Sequence, residues 1–279
     1  MAVATVIAKV RIWYPSEVEV FNNLTIDRLQ KLGYEVYAIT VEGISLGSAT
    51  AIAFTQATTV LDGTSTPDAM YIESADALDD TGATDCVQEV IINMVNTNGD
   101  PYRKTVATTG TTGTLVDETA VRIYNFYSTA WGSGDGDSHQ AENTITLGDT
   151  DGPANVFVTI ALDGNESDGG RIWVPDGYNS IIERVKIDVQ DNSLAAAGNG
   201  CFVQIDKVSF EAENNTAFDT SGPVVVACIN GHVDVKPQDY PDTGNDSAYY
   251  LLKESLITGA ETHKIYIMFI LYKSARAGL

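Results

Sequence analysis

Along most of this chain apolar and polar residues alternate with a period of two, and Gly, Asp, Asn and Thr cut the alternation repeatedly. That pattern predicts strands with one inward face, joined by turns. Residues 85–95 read as a strand, Asn96 to Pro101 as a turn, and Tyr102 to Ala107 as the return strand of a β-hairpin. The same reading gives strands at Glu35–Glu42, Ala51–Gln56, Met70–Ser74, Val121–Ser128, Thr144–Leu147 and Val156–Leu162. Further strands follow at Arg171–Val174, Ile181–Val189, Cys201–Phe210 and Val224–Val235, with a tight turn at Pro175 to Tyr178. The run Ile265–Tyr272 is apolar at successive positions, which fits a strand buried on both faces. One short helix is predicted, from about Thr25 to Leu32, with Thr25 as its cap, Ile26, Leu29 and Leu32 on one face, and Gly33 as its stop. Residues 1–14 are β-prone and extended, and Val3, Val6, Val10 and Ile12 suit an arm that pairs either within the fold or with a neighbouring subunit.

These elements predict an all-β chain of two β-sandwich or jelly-roll-like domains, with an extended N-terminal arm and one short helix. The Gly- and Asp-rich stretch 149–170 places the boundary near Gly164, so residues 1–164 form the arm and first sandwich and residues 165–279 the second. A length of 279 residues suits two such units. No repeat of solenoid or propeller length is evident.

Charge and composition narrow the function. The formal net charge is −22, which argues against nucleic acid or an anionic membrane as partner. The longest apolar run is far shorter than the roughly 20 residues of a spanning helix. No secretory leader is expected, because Lys9 and Arg11 follow the first apolar stretch instead of preceding it. Cys86, Cys201 and Cys228 stand far apart beside apolar residues and read as buried thiols, not as a metal site or a disulfide framework.

A set of motifs in the middle of the chain has a recognisable order. It begins with Ile72-Glu73-Ser74-Ala75-Asp76-Ala77, Asp79-Asp80-Thr81-Gly82-Ala83 and the Asn98-Gly99 hairpin. It continues through Thr109-Gly110-Thr111-Thr112, Thr119-Ala120-Val121-Arg122-Ile123 and Gly170-Arg171-Ile172-Trp173-Val174-Pro175-Asp176-Gly177-Tyr178. From about Ile72 to Val189 this order resembles a module of virion structural proteins of tailed bacteriophages, marine ones especially. The resemblance implies a capsid-associated, head-fibre or tail role, and brings no catalytic residues with it.

Candidate chemistry lies in the acidic loops. Asp135 and Asp137, Asp149 and Asp151, and Asp163 with Asp168 space oxygen ligands as Ca²⁺ requires. The loop from Asp163 starts like an EF-hand, but Gly169 falls one place late and Val174 stands where the bidentate Glu belongs. Solvated turns are the reading adopted, and no cofactor is expected. His139, His232 and His263 have no zinc spacing, and no G-x-S-x-G turn is present. Trp131, beside the Gly and Asp loop and after Tyr124, Phe126 and Tyr127, offers a stacking platform for a glycan, although Tyr124 and Phe126 read more simply as core.

The resulting expectation is a non-enzymatic virion protein on the capsid surface, a decoration or cement protein. Its partners would be the major capsid protein and copies of itself, as a trimer. Contacts would run through Val3, Val6, Val10 and Ile12 of the arm and through Ile265, Ile267 and Phe269 of the terminal strand. The alternatives are a tail or fibre component binding a host glycan, and a secreted carbohydrate-active enzyme or its accessory β module.

Overall fold

The computed structural model describes residues 8–48, 69–82, 86–132, 140–149, 156–162, 166–167, 171–175, 177–190, 200–210, 217–229, 231–237, 248–258 and 261–274. The strands begin with β1 (Ala8–Trp13), β2 (Tyr34–Ser48), β3 (Met70–Ser74), β4 (Val87–Asn96), β5 (Pro101–Ala107) and β6 (Thr114–Val116). They continue with β7 (Ala120–Trp131), β8 (Ile145–Gly148), β9 (Val156–Ile160), β10 (Arg171–Val174) and β11 (Asn179–Gln190). The last are β12 (Gly200–Phe210), β13 (Ala217–Ile229), β14 (Gly231–Val235), β15 (Ala248–Thr258) and β16 (Glu261–Ser274). A 3-10 turn, Val18–Phe21, and one helix, α1 (Leu24–Lys31), lie between β1 and β2. The fold is all-β, and the strand pairings among the described residues are antiparallel.

The chain forms two compact units, Met1–Phe54 with Gly170–Leu279, and Thr55–Gly169. This corrects the division at 1–164 and 165–279. The change of unit near Gly164 is close, but the N-terminal part joins the C-terminal part because β2 pairs along the whole of β16, from Ser48↔Glu261 to Tyr34↔Ser274. In the first unit a five-stranded sheet, β1-β2-β16-β11-β14, faces a four-stranded one, β10-β15-β12-β13. Tyr250 stacks on Phe269 between them, with centroids 5.0 Å apart, and Ser180 Oγ and Tyr250 Oη are hydrogen-bonded at 2.6 Å.

Of the two pairings open to the N-terminal arm, the structure shows the one within the fold. β1 is an edge strand of its own chain's sheet, in register with β2 from Ala8↔Gly43 to Trp13↔Ala38. Val10, Ile12, Ile267 and Phe269 are fully buried, and Ile265 nearly so. These side chains fill the chain's own sandwich, where full burial of each is worth about 1.5–3 kcal/mol. The terminal strand is covered from within, which removes the structural reason for a trimer. Val3 and Val6, and the strand expected at Ala51–Gln56, lie outside the described residues.

α1 starts one residue earlier than expected, and its cap is Asn23, not Thr25. Asn23 Oδ1 accepts from the backbone N–H of Thr25 and Ile26, while its Nδ2 donates to Glu183 Oε1 at 2.9 Å. Glu183 occupies the bulge between Ile182 and Arg184 in the pairing of β11 with β16, so one asparagine both caps the helix and fastens it to the sheet. Gly33, at φ +82°, ends the helix as expected, whereas Leu32 stays exposed.

The second unit packs the sheet β6-β3-β8-β9 on the sheet β5-β4-β7. Its core takes Met70, Ile72, Leu147 and Ile160 from one sheet and Val90, Ile92, Ile123 and Phe126 from the other. Beside it the buried Asp79 carboxylate accepts from Ser74 Oγ at 2.6 Å and from the N–H groups of Val87, Glu142 and Asn143. Gly110, at φ +62°, donates its N–H to the Asp79 carbonyl at 2.8 Å, and a Cβ there would lie 3.0 Å from the backbone of Ala77. The Ser/Asp start and the Gly-Thr-Thr step of the sequence motif are thus two sides of one backbone junction.

Candidate functional site

Asp135, Asp137, Asp163 and Asp168 lie outside the described residues, as do Asp151 and His139. Among the described residues no group of three or more His, Cys, Asp or Glu side chains could hold a metal ion. Trp131 is not a free platform: its ring packs on the core of the second unit and its Nε1 donates to Ser128 Oγ at 3.2 Å. Tyr124 and Phe126 are fully buried, and burial raises the Tyr124 pKa far above the ordinary phenol value. The three cysteines are buried and not disulfide-bonded, and Cys201 stands directly opposite Cys228 across β12 and β13.

Of the remaining histidines, His263 is buried between the sheets of the first unit, with Nε2 3.0 Å from Glu254 Oε1 on β15. Closed to solvent on both sides, this pair joins two layers and leaves no room for a substrate. His232 is exposed, and its Nδ1 meets Asp188 Oδ1.

The register of the five-stranded sheet does assemble one surface. Because strand side chains alternate, Lys9, Glu42, Tyr266, Lys186 and Asp234 form one row across β1, β2, β16, β11 and β14. The neighbouring rows carry Arg11, Thr40, Met268 and Arg184 on one side, and Lys264, Asp188 and His232 on the other. The opposite face is the apolar interior. On this outer face α1 and the 3-10 turn cover only one end, where Val36, Ala38, Met268 and Ile270 pack with Val18 and Ile26. At the other end Glu42, Asp188, His232 and Lys264 are exposed among the described residues.

Of the sixteen Lys and Arg residues in a chain of charge −22, five stand on this face: Lys9, Arg11, Arg184, Lys186 and Lys264. Glu42, Asp188 and Asp234 are the acids among them. Arg184 forms a fork with Asp234, Nε donating to Oδ1 at 2.8 Å and Nη2 to Oδ2, and this hydrogen bonding holds the Asp234 carboxyl below its ordinary pKa. Lys186 Nζ sits 5.9 Å from the Tyr266 ring centroid, at the outer limit of a cation–π contact. Burial, and then the charge of Glu42, push the Tyr266 hydroxyl up to about 12, so it remains a hydrogen-bond donor at neutral pH. Around Tyr266 the face dips into an open hollow of about 320 Å³, lined by Glu42, Arg184, Lys186, Asp188 and Lys264.

This hollow was missed in the sequence, although its signal was there. In Arg184-Val185-Lys186-Ile187-Asp188-Val189 the charged residues alternate with apolar ones, which gives an outer face. What the sequence did not show is that Lys9, Glu42 and Lys264, from distant strands, share it.

No family model and no curated protein matches this chain. Among solved structures, the N-terminal CBM22-1-CBM22-2 tandem domain of Xyn10C from Paenibacillus barcinonensis aligns with 88% of this chain and 92% of its own, at 10% identity and a TM-score of 0.11. A TM-score that low carries no argument about fold or function.

Proposed function

We propose that this chain is a non-enzymatic structural protein on the outside of a phage particle and that it works by binding through the open end of its outer sheet face. The order of motifs from Ile72 to Val189 supports the virion setting. The gathering of cations on one face of an otherwise acidic chain supports the binding role. On a head, that face would meet the major capsid protein, as a decoration protein does. On a tail or fibre it would meet a host glycan, and the hollow around Tyr266 favours this second position, since a shallow mixed-charge depression suits a small polar ligand better than a flat protein interface.

Sedimentation of the purified chain tests the proposal, with phage particles lacking the protein in one arm and host cell envelopes in the other. Binding to one of them, weakening as salt is raised and reduced in Lys186→Gln with Lys264→Gln, is the expected result. No binding to either would refute the proposal.

A further inference from the structure

From the lining of the hollow we infer that it takes an acidic saccharide, a sugar carrying one carboxylate alongside its hydroxyls. The inference rests on reading this face as a recognition surface and names the ligand chemistry. Lys264 is exposed, and neither it nor Lys186 has an ion-pair or hydrogen-bond partner among the described residues, so two ammonium groups are available. Arg184 is held by Asp234 and Asp188 by His232 through Oδ1, which fixes their positions and leaves Glu42 and the Asp188 Oδ2 as exposed acceptors in the lining.

With Arg184 neutralised by Asp234, two ammonium groups and two carboxylates face the hollow, a balance that suits a ligand with one anionic group beside neutral hydroxyls. An acidic peptide or a nucleic acid strand brings a row of charges, some of which would fall against Glu42 and Asp188 and be repelled. The net charge of −22 adds to that repulsion at longer range. A uronic or sialic acid residue instead places its carboxylate between the lysines and donates its hydroxyls to the two carboxylates, in charge-assisted hydrogen bonds. The half-buried ring of Tyr266 supplies an apolar floor between these groups. A volume of about 320 Å³ is at the lower end for small-molecule sites, and the open sides let a longer sugar chain continue along the sheet.

The test is amide NMR titration of the full chain with trigalacturonate, sialyllactose, a neutral galactose trisaccharide and hexaglutamate. At least one acidic sugar should shift the signals of Lys186, Lys264 and Tyr266. The neutral sugar should bind at least tenfold more weakly, and hexaglutamate should leave these signals unmoved. Lys186→Gln with Lys264→Gln should weaken the acidic sugar at least tenfold while the far-ultraviolet circular dichroism stays unchanged, and the corresponding double Arg variant should retain binding. Glu42→Gln should weaken the sugar too, an effect opposite to that of simple charge attraction. Hexaglutamate binding as well as the sugars, or neither acidic sugar moving these signals, would overturn the inference. If the acidic sugars fail while the double Gln variant still loses sedimentation with particles or envelopes, this inference falls and the recognition surface stands. If an acidic sugar binds but neither particles nor envelopes do, the virion reading falls and the saccharide site stands.

Discussion

Asp79 shows how a single side chain can hold a fold together without forming a site. Its carboxylate accepts from one hydroxyl and three backbone N–H groups that belong to separate stretches of the second unit. Removing it leaves buried donors without an acceptor, which costs more than the bonds themselves contribute. Asp79→Ala should therefore lower stability by about 3 kcal/mol, and Asp79→Asn by nearly as much because its amide turns donors toward donors. The urea midpoint measures both. Asp234 behaves differently, since it lies on the surface and its interaction is with Arg184. Its folded pKa is depressed, so its stabilising contribution is present above the unfolded carboxylate value of about 3.9 and is lost as pH falls through the folded value. Solvent screening keeps that contribution small. A carboxyl-carbon NMR titration should place Asp234 below ordinary aspartates, and Arg184→Gln should return it to their range.

Among the elements, β1 changes meaning most between sequence and structure. As a free arm it would be dispensable for folding, but as the edge of the five-stranded sheet it seals one side of the sandwich with Val10 and Ile12. Deletion of residues 1–13 should thus abolish the cooperative melting of the first unit, and Ile12→Ala should cost about 3 kcal/mol through lost burial and a residual cavity. Thermal denaturation followed by circular dichroism decides, and a deletion that melts like the full chain would return β1 to the role of an arm. β15 had no signal in the sequence that set it apart, because Leu251-Leu252-Lys253-Glu254 suits a helix as well as a strand. Pairing with β10 on one side and β12 on the other makes it a strand. Where the apolar alternation is strong, as in Met70–Ser74 and Arg171–Val174, expected and observed bounds coincide.

At the scale of the molecule, the second unit is an insertion between two parts of the first. It carries its own core, built from both of its sheets. A fragment of residues 55–169 should therefore fold by itself and give a dispersed amide NMR spectrum, whereas residues 170–279 alone should not, because β16 would lack β2 along its length. A collapsed spectrum from the 55–169 fragment would show that the second unit depends on the first.

Read alone, the sequence determines the all-β class, most strand positions, the short helix with its Gly33 stop, and the burial of the cysteines. Each of these follows from local periodicity and turn chemistry. It could not decide which strands are neighbours. Pairing of β2 with β16 joins residues more than two hundred positions apart, and alternation is the same whichever partner a strand finds. That pairing, with β1 on the other edge of β2, placed the arm and the terminal strand in one sheet. It also brought Lys9, Glu42, Lys186, Lys264 and Tyr266, unremarkable in their own segments, onto one open face. Tertiary structure alone makes that face, because its residues come from four strands and only the register sets them side by side.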